Sequence, residues 1–562
     1  MKTECGIFAC IINNILDKQI IYNAMANIQH RGQDSYGYIT IDNDIENNSA
    51  RINITKEFGL LCNIDNFMID NFMIDNHNEY YNRNILFLGH MRYSTNTILE
   101  NSLNINNVQP IEIYSKNHIY IAHNGNLPNL KDNIMRLQQM GIANGTEMGL
   151  EYEEGMSDTK LFKMIWDTKM HEKINNITND ILEDDILEND ILEYITYILE
   201  NIPGAYSCVL SYCSNTKAGK AGKNNELCLF GFRDKMGIKP LSICMINNNY
   251  CFVSETVQVL DCNDGAECKF ITDVLPGEIW MINQNRINKI TIDTIELNNG
   301  NGNGNDNSNG NGNDIFFCAL EPIYFMKKDS LLFNGMISVS KFRELIGIEL
   351  AKQDIQQDNI NCGDSSGSSD SKGDSKCGNV EILYIPESSY SIACGYSSAL
   401  GNRSLGNRSY DVRKDLILKV ENIRSFIEST HDARIGKLKR KFAFNIEDIK
   451  KLREIILIDD SIVRGNSMKF IVDTLKSINP SIIIHIRVGC PKLVKGCQFG
   501  IDLYDDELIA LQVEDLAEYF GVASIRFLEL DRLRTIFSNF GIINCGMCFG
   551  NIDEKNMKML EW

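Results

Sequence analysis

The sequence lacks several features that would place the protein in a membrane or on a nucleic acid. It has no apolar run of membrane-spanning length, and residues 1–4 are too short and polar for a signal peptide. It also lacks a basic excess. A net charge of -20 opposes binding to nucleic acid or to an anionic membrane surface unless a basic patch exists locally. We therefore expect a cytoplasmic protein.

A persistent internal period is also missing, which excludes a repeat solenoid. Low-complexity tracts instead interrupt the chain, and such polar tracts cannot bury enough apolar surface to fold alone. They occupy residues 65–76, 177–193, 215–225, 298–314, 362–378 and 400–409. The chain has 562 residues and is 43% hydrophobic, which is enough for two sizeable cores. We expect the tract at 298–314 to link them.

Cys5 has only four residues ahead of it. If residues 1–4 were removed as a propeptide, Cys5 would carry a thiol and a free α-amine. An α-amine titrates near ~7.7–8.0, so its neutral form can take the thiol proton. Cys5 therefore predicts a nucleophile that supplies its own base. The alternative is a buried cysteine in a first β-strand.

Downstream polar clusters suit a site that hydrolyses the amide of glutamine. Such a site needs a cation for the α-carboxylate, an anion for the α-ammonium and donors for the oxyanion. Arg92 follows an apolar strand pattern at 85–88, and the pair Asn124 and Gly125 follows another at 119–121. Asp158 offers the anion. Gly125 has no side chain, so its backbone N–H can approach the reacting carbon.

Five motifs, taken in order, resemble the N-terminal-nucleophile glutamine amidotransferases. They are Cys-Gly-Ile-Phe-Ala at 5–9, Gln-His-Arg-Gly-Gln-Asp at 29–34, His-Met-Arg-Tyr-Ser-Thr at 90–95, Ala-His-Asn-Gly-Asn-Leu at 122–127 and Ser-Asp-Thr at 157–159. The resemblance implies a four-layer αββα hydrolase domain over residues 5–297. It also implies a role for each matching residue: nucleophile, Cys5; oxyanion hole, Asn124 and Gly125; glutamine binding, Arg31, Arg92, Thr95 and Asp158. The alternative for Arg92 and Asp158 is a surface ion pair.

A second chemical site is predicted near residue 460. Residues 454–458 have a buried-strand pattern that leads directly into Asp459 and Asp460, a hydroxylated loop and an amphipathic helix at about 468–478. In this geometry the loop amides and the helix N-terminus bind a phosphate, while the carboxylates meet ribose hydroxyls or a hard cation. The alternative is a solvated acidic turn.

This segment resembles the 5-phosphoribosyl diphosphate (PRPP) signature of type I phosphoribosyltransferases. The resemblance implies a parallel-sheet α/β domain over residues 315–540 and a Mg²⁺ shell of Ser388, Asp459 and Asp460. It also implies a PRPP site made of Asp459, Asp460, Ser461, Ile462, Val463, Arg464, Gly465, Asn466 and Ser467. Lys419 and Arg424 would come from the mobile loop that covers PRPP. That loop is one residue shorter than is usual in the family and lacks its tyrosine and first arginine.

Together, the two resemblances imply an enzyme that releases ammonia from glutamine and transfers it to C1 of PRPP. The products would be 5-phosphoribosylamine and pyrophosphate, at the first committed step of purine synthesis. By the same resemblance we expect a homotetramer that purine nucleotides inhibit. Two sites on one chain imply a sheltered passage for ammonia between them.

The sequence has 18 cysteines and no secretory leader, which favours reduced thiols or metal ligands over a disulfide framework. Cys545 and Cys548 form a Cys-x-x-Cys pair, and Cys497 precedes Gly-Ile-Asp at 500–502. These positions resemble the branch of the family that holds a four-iron cluster. The cysteine-bearing tail would be residues 541–562.

A cubane cluster usually takes four thiolates, and the fourth is not obvious here. The fourth ligand of the family follows a Ser-Glu-Thr motif, where this chain has Val257. We expect Cys262 to replace it, with Cys251 and Cys268 as other candidates. The alternative is that all these thiols are reduced and structural.

Two rival functions stay open. A hexosamine synthase would share the first half but would have no Asp-Asp-Ser-Ile-Val-Arg-Gly segment, which this chain has at 459–465. A non-catalytic, nucleotide-sensing or scaffold relative would fit the altered loop at 419–427 and the displaced fourth cysteine.

Overall fold

The computed structural model describes two lobes of regular structure. The described residues are 5–12, 18–44, 49–67, 83–93, 104–127, 130–143, 156–176, 188–213, 226–261, 265–284, 286–290, 315–357, 380–401, 410–420, 441–497, 499, 501 and 503–550. Thr95, Cys262, Arg424 and the propeptide at 1–4 lie outside these ranges, as does the linker at 298–314.

The first half contains two antiparallel sheets. Its strands are β1 (Gly6–Ile12), β2 (Ser35–Asp44), β3 (Ser49–Phe58), β4 (Arg83–Arg92), β5 (Ile111–Tyr114), β6 (Ile119–Asn126), β7 (Ala205–Cys213), β8 (Leu227–Arg233), β9 (Ser242–Ile246), β10 (Asn249–Val253), β11 (Cys268–Asp273), β12 (Ile279–Asn283) and β13 (Ile287–Ile290). The seven-stranded sheet has the order β11-β9-β10-β1-β4-β2-β3. The six-stranded sheet has the order β13-β12-β8-β7-β6-β5.

Helices cover the outer faces of these sheets. They are α1 (Lys18–Ala26), α2 (Leu130–Ala143), α3 (Thr159–Asn176), α4 (Glu188–Asn201) and α5 (Val257–Leu260). Strand β1 shows why four layers form, because alternate side chains of a strand point to opposite faces. Ile7 and Ile11 pack in the core between the sheets, whereas Phe8 packs with Ile21 and Met25 of α1. Trp166 of α3 and Ile198 of α4 share a core with the six-stranded sheet. The predicted αββα fold is confirmed.

The second half is built on a four-stranded parallel sheet of order β17-β20-β21-β22. Its strands are β14 (Ile315–Cys318), β15 (Leu331–Leu332), β16 (Ile337–Ser338), β17 (Glu381–Tyr384), β18 (Ile417–Lys419), β19 (Phe442–Phe444), β20 (Glu454–Asp459), β21 (Ile483–Val488), β22 (Ser524–Phe527) and β23 (Ile542–Cys545). Its helices are α6 (Val339–Gln357), α7 (Tyr390–Gly401), α8 (Ile446–Ile449), α9 (Asn466–Ile478), α10 (Ile509–Gln512), α11 (Leu516–Phe520) and α12 (Leu530–Ser538). The predicted parallel-sheet α/β fold is confirmed.

A strand pairing and a π-helical turn also shape this half. Strand β14 pairs in parallel with β23, so Cys318 lies opposite Cys545. The chain then makes a π-helical turn, Glu321–Phe325, before it reaches α6. No helix in the described ranges is both long and apolar enough to span a membrane.

The segment between this turn and α6 docks onto the first half. The Asn334 N–H donates to Asp273 Oδ2 over 2.6 Å, and the Leu331 N–H donates to Thr256 Oγ1 over 2.7 Å. The two halves therefore meet through directed hydrogen bonds as well as apolar packing.

Candidate active site

Cys5 directly precedes β1, and three of the residues predicted to bind glutamine act electrostatically on its thiol. Its Sγ lies 3.7 Å from the carbonyl oxygen of Tyr93, which directly follows β4. Burial raises the pKa of the Cys5 thiol to about 11, while Arg92 and Arg31 act to lower it and Asp158 to raise it. The fold therefore brings Arg92 and Asp158, which are far apart in sequence, next to the sulfur.

Asp158 is held by groups at the end of β6. Its Oδ2 lies 3.3 Å from His123 Nε2 and accepts a 3.2 Å hydrogen bond from the Leu127 N–H. Burial would raise the pKa of Asp158, but His123 and the backbone donors lower it below its usual value. Asp158 is thus an oriented anion beside the thiol. The sequence placed His123 in a motif without assigning it a role.

Asn124 and Gly125 lie at the end of β6, where β6 pairs with β7. The Asn124 side chain is fully buried, yet neither its amide nitrogen nor its oxygen has a hydrogen-bond partner within the described residues. Gly125 has a φ of 146°, and an added Cβ would lie 2.1 Å from the carbonyl oxygen of Ala205. A buried unpaired amide is costly unless a ligand uses it, so this pair suits an oxyanion.

Arg31 was predicted to bind glutamine, but its side chain has other partners. It is 0% exposed, and its Nε donates to the carbonyl oxygen of Cys5 over 2.9 Å. Its other nitrogens contact the carboxylates of Glu255 and Glu321. Arg31 therefore contacts the backbone of Cys5, and its guanidinium does not face the space beside the thiol. Glu255 belongs to the Ser-Glu-Thr motif but had been given no role, and Glu321 had not been singled out, because no local pattern connects either residue to Arg31.

Asp459 and Asp460 end the buried strand β20 at the carboxyl edge of the parallel sheet. Both are buried, at 8% and 3% exposure. Burial raises the pKa of Asp459 well above its usual value, and the charge of Asp460 raises it further. The Ser389 hydroxyl donates to Asp459 over 3.3 Å, and Ser388 hydrogen-bonds to Asp460. Two desolvated carboxylates beside a serine are a donor set that suits a hard cation.

The loop after Asp460 leads directly into a helix, as the sequence pattern predicted. Gly465 has a φ of 74° and directly precedes α9, so the helix begins two residues earlier than the sequence pattern indicated. The Ile509 N–H donates to the carbonyl oxygen of Val463 over 2.8 Å, which anchors the loop. Arg464 pairs with Glu507. The N-terminal amides of α9 therefore lie beside the acidic pair.

One of the two basic residues predicted to cover this site, Lys419, lies on the hairpin of β18 and β19. Lys419 ends β18 and pairs with Glu387 at 3.4 Å. Lys441, at the start of the return strand, lowers the pKa of Asp459 by its charge. Residues 421–440, which include Arg424, lie outside the described ranges.

The cysteines at the end of the second half gather in one place. Burial raises the pKa of Cys548 well above its usual value, and Cys497, Cys318, Cys545 and Cys490 raise it further. The N–H groups of residues 494 and 495 both donate to the carbonyl oxygen of Cys548. Across the described ranges, no three His, Cys, Asp or Glu side chains already converge on the position of a metal ion. Cys318, whose strand lies beside that of Cys545, was missed by the sequence reasoning.

No family model matches the chain. Individual proteins, however, are similar to it over most of its length. The chain is 26% identical to a protein named amidophosphoribosyltransferase from Archaeoglobus fulgidus, over 92% of this chain and 90% of the relative. Proteins of the same name from Mus musculus and Bacillus subtilis are 26% and 24% identical, over 95% and 99% of this chain and 89% and 94% of their own length.

Two solved structures share the fold. One is glutamine PRPP amidotransferase from B. subtilis complexed with ADP and GMP, with a TM-score of 0.64 and 22% identity over 97% of this chain and 96% of its own. The other is described as the allosteric regulatory enzyme of purine biosynthesis, with a TM-score of 0.65 and 22% identity over 97% of this chain and 95% of its own. The similarity runs through both halves.

Proposed function

We propose that this chain is an amidophosphoribosyltransferase. It hydrolyses glutamine to glutamate and ammonia in the first half. In the second half it transfers the ammonia to C1 of PRPP, giving 5-phosphoribosylamine and pyrophosphate, the first committed step of purine synthesis. The observation that carries the proposal is the pairing on one chain of the Cys5 site with the acidic strand end at Asp459. Similarity to proteins of that name over nearly the whole length supports it.

In the first site, Cys5 attacks the amide carbon of glutamine. A thiol with a pKa of about 11 leaves roughly 10⁻⁴ of the sulfur ionised at neutral pH, so a base is required. Removal of residues 1–4 would expose the α-amine of Cys5 as that base. Arg92 and Asp158 hold the substrate's carboxylate and ammonium, with Thr95 as a further contact. The Asn124 amide and the Gly125 N–H stabilise the oxyanion.

In the second site, the chain's own residues hold PRPP and keep water out. Ser461 to Ser467 and the N-terminus of α9 cradle the 5-phosphate, and Lys419 and Arg424 cover the pyrophosphate. Asp459, Asp460 and Ser388 would hold Mg²⁺, which when bound neutralises the departing pyrophosphate.

We also propose that the gathered C-terminal cysteines hold a four-iron cluster. Cys497, Cys545 and Cys548 are the predicted ligands. Cys318 lies opposite Cys545 on the neighbouring strand, and it is our choice for the fourth thiol over Cys490, which also acts on the pKa of Cys548. Thiolates are the ligands that such a cluster takes, usually four of them. Cys262, Cys251 and Cys268 remain the other candidates.

Replacing Cys318 with serine should lower the cluster content, because it removes one of the four thiolates that a cubane usually takes. The measurement is iron and acid-labile sulfide per chain, together with visible absorbance, in protein purified without oxygen. Cys213→Ser, at a buried cysteine in the first half, is the matched control. Full iron in Cys318→Ser and none in Cys262→Ser would assign the fourth position to Cys262.

Regulation, assembly and location follow the same proposal. We expect purine nucleotides to inhibit at or beside the PRPP site, and the B. subtilis structural relative is described as a complex with ADP and GMP. A homotetramer and a cytoplasmic location rest on the family resemblance and on composition.

Pyrophosphate release from PRPP tests the function directly. The purified protein should release pyrophosphate when given PRPP and glutamine, and also when given PRPP and ammonium salt. Activity with ammonium alone would indicate an unprocessed first site. Activity with neither nitrogen source would favour the nucleotide-sensing or scaffold alternative.

Gly125→Ala should lower glutamine-dependent activity by about 10²-fold, the usual cost of one lost oxyanion donor. The added Cβ would meet the Ala205 carbonyl at 2.1 Å, so the strand end has to move. The ammonia-dependent reaction should change little. Gly59→Ala is the control, since Gly59 also has a positive φ, of 92°, but nothing within 4 Å of its Cβ position. Equal losses in both variants would mean that backbone strain alone explains the effect.

A further inference from the structure

The guanidinium of Arg31 is clamped between the two halves of the protein. Its Nε donates to the Cys5 carbonyl over 2.9 Å. Nη1 contacts Glu255 at 2.8 Å and Glu321 Oε2 at 3.1 Å, while Nη2 contacts Glu321 Oε1 at 3.0 Å. All three side chains are fully buried. The bidentate pair with Glu321 fixes the plane and direction of the guanidinium, which a single contact would leave free to turn.

Glu255 is the partner of Arg31 from the first half, and several hydrogen-bond donors contact its carboxylate. It accepts from the Lys327 N–H and the Ser330 hydroxyl, each over 2.9 Å, and lies 2.8 Å from His30 Nε2. Burial would raise the pKa of Glu255, but His30 and Arg31 lower it below its usual range. Glu255 is therefore an ionised carboxylate whose other contacts fix it in place. Glu321 is the partner whose position depends on the second half.

Glu321 begins the π-helical turn Glu321–Phe325, and a second buried arginine holds this turn. Arg343 of α6 donates from Nε to the Pro322 carbonyl over 2.8 Å and from Nη2 to the Met326 carbonyl over 2.8 Å. Single π-helical turns are rare and often occur at functional sites. The position of Glu321 is thus set by Arg343 and by the packing of α6.

Arg343 in turn lies in the field of the acidic pair at the PRPP site. Burial lowers the pKa of Arg343 to about 10, and the charges of Asp460 and Glu255 oppose that effect. Arg343 also acts on Asp460, where its charge favours the ionised carboxylate. Hydrogen bonds therefore run from the Cys5 carbonyl through Arg31 to Glu321, whose turn Arg343 holds. From Arg343 onward, the influence on Asp460 is that of its charge.

We propose that Glu321 is a positioning residue that the second half contributes to the glutamine site. By orienting Arg31 against the carbonyl of Cys5, it sets the position of the nucleophile. Through its turn and Arg343, it ties that position to the charge at the PRPP site. This inference rests on the proposed function, and it means that the first site is incomplete without the second half.

The test is Glu321→Gln in the full chain, which keeps the shape but removes the charge and one acceptor. The loss of a hydrogen bond to a charged group changes the affected rate or equilibrium constant by about 10- to 100-fold. Glutamine hydrolysis should fall by about that factor, mainly in kcat, and its response to added PRPP should weaken. Alkylation of Cys5 by iodoacetamide should slow, whereas ammonia-dependent pyrophosphate release should stay within about twofold.

Glu349→Gln is the matched control, because Glu349 also pairs with an arginine, Arg532, at 3.0 Å, but both partners of that pair lie in the second half. It should leave the ratio of the two reactions unchanged. Equal loss of both reactions in Glu321→Gln, with a lowered Tm, would show a merely structural role and overturn the inference. Unchanged glutamine hydrolysis would overturn it too. If the native protein does not aminate PRPP, the proposed function fails, while glutamine hydrolysis and Cys5 alkylation still decide the role of Glu321.

Discussion

The Cys5→Ala variant is expected to lose all measurable glutamine-dependent amination of PRPP while it keeps the ammonia-dependent reaction. Loss of a covalent nucleophile costs on the order of 10⁶-fold in the best-studied hydrolases, because no other group can form the intermediate. The second site does not use the thiol, so ammonia supplied from solution bypasses the defect. Pyrophosphate release with each nitrogen source is the measurement.

Cys10→Ala is the control for this prediction. Cys10 is a buried cysteine five residues further along the same strand, and it packs in the core under α1. Its loss should cost stability but should not separate the two reactions. If Cys5→Ala retained glutamine-dependent activity, a different nucleophile would have to be found.

The same thiol gives a test of the proposed base. In a chain that keeps residues 1–4, alkylation of Cys5 should keep accelerating up to about pH 11, the pKa that burial imposes on the thiol. In a chain that begins at Cys5, the rate should level off nearer the titration of an α-amine, at about 8. Mass spectrometry of the N-terminus shows whether each sample keeps residues 1–4 or begins at Cys5. Full glutaminase activity in the longer chain would contradict the amine as base.

Asp459→Asn is expected to stabilise the protein without ligands and to abolish PRPP amination. The pKa of Asp459 is raised in the folded state by burial and by the charge of Asp460. Folding therefore favours the protonated form, and the free energy of unfolding falls as the pH rises above the ordinary carboxyl value of about 3.9. At neutral pH the uncharged amide removes this penalty. A gain of 1 kcal/mol would raise Tm by about 2–4 °C in a domain of this size.

Catalysis should respond in the opposite direction. An amide cannot replace a carboxylate as a Mg²⁺ ligand or balance the charge near pyrophosphate, so amination with either nitrogen source should fall on the order of 10³-fold. Thermal unfolding with and without Mg²⁺ and PRPP should show that the ligand-induced rise in Tm is lost. Asp473→Asn, at a half-exposed position on α9, should change neither quantity. An active or destabilised Asp459→Asn variant would contradict the assignment.

Local sequence patterns were sufficient for the parts of each site that lie at strand ends. The apolar runs before Arg92, Asn124 and Asp459 predicted three strands. The structure has a strand at each of these places, namely β4, β6 and β20. Each of these polar residues lies within the last three residues of its strand, so the pattern alone placed it near an edge of the sheet.

The contacts that tie the sites together were beyond such patterns. Arg31 and Glu321 are 290 positions apart, and each lies in a segment whose local pattern is compatible with many partners. The pairing of β14 with β23 likewise joins two four-residue strands from opposite ends of the second half. Short strands carry little register information, because several alignments bury similar side chains. Cys318 was overlooked for that reason.

The pairing of β14 with β23 brings the first and last described strands of the second half side by side. The half therefore begins and ends on one short strand pair, with its two ends separated by the length of a four-residue strand because the pairing is parallel. A gene for this half could be joined end to end and reopened at a surface turn, and the rearranged polypeptide should reach the same fold. The fold of this half therefore should not depend on the order in which its segments are synthesised.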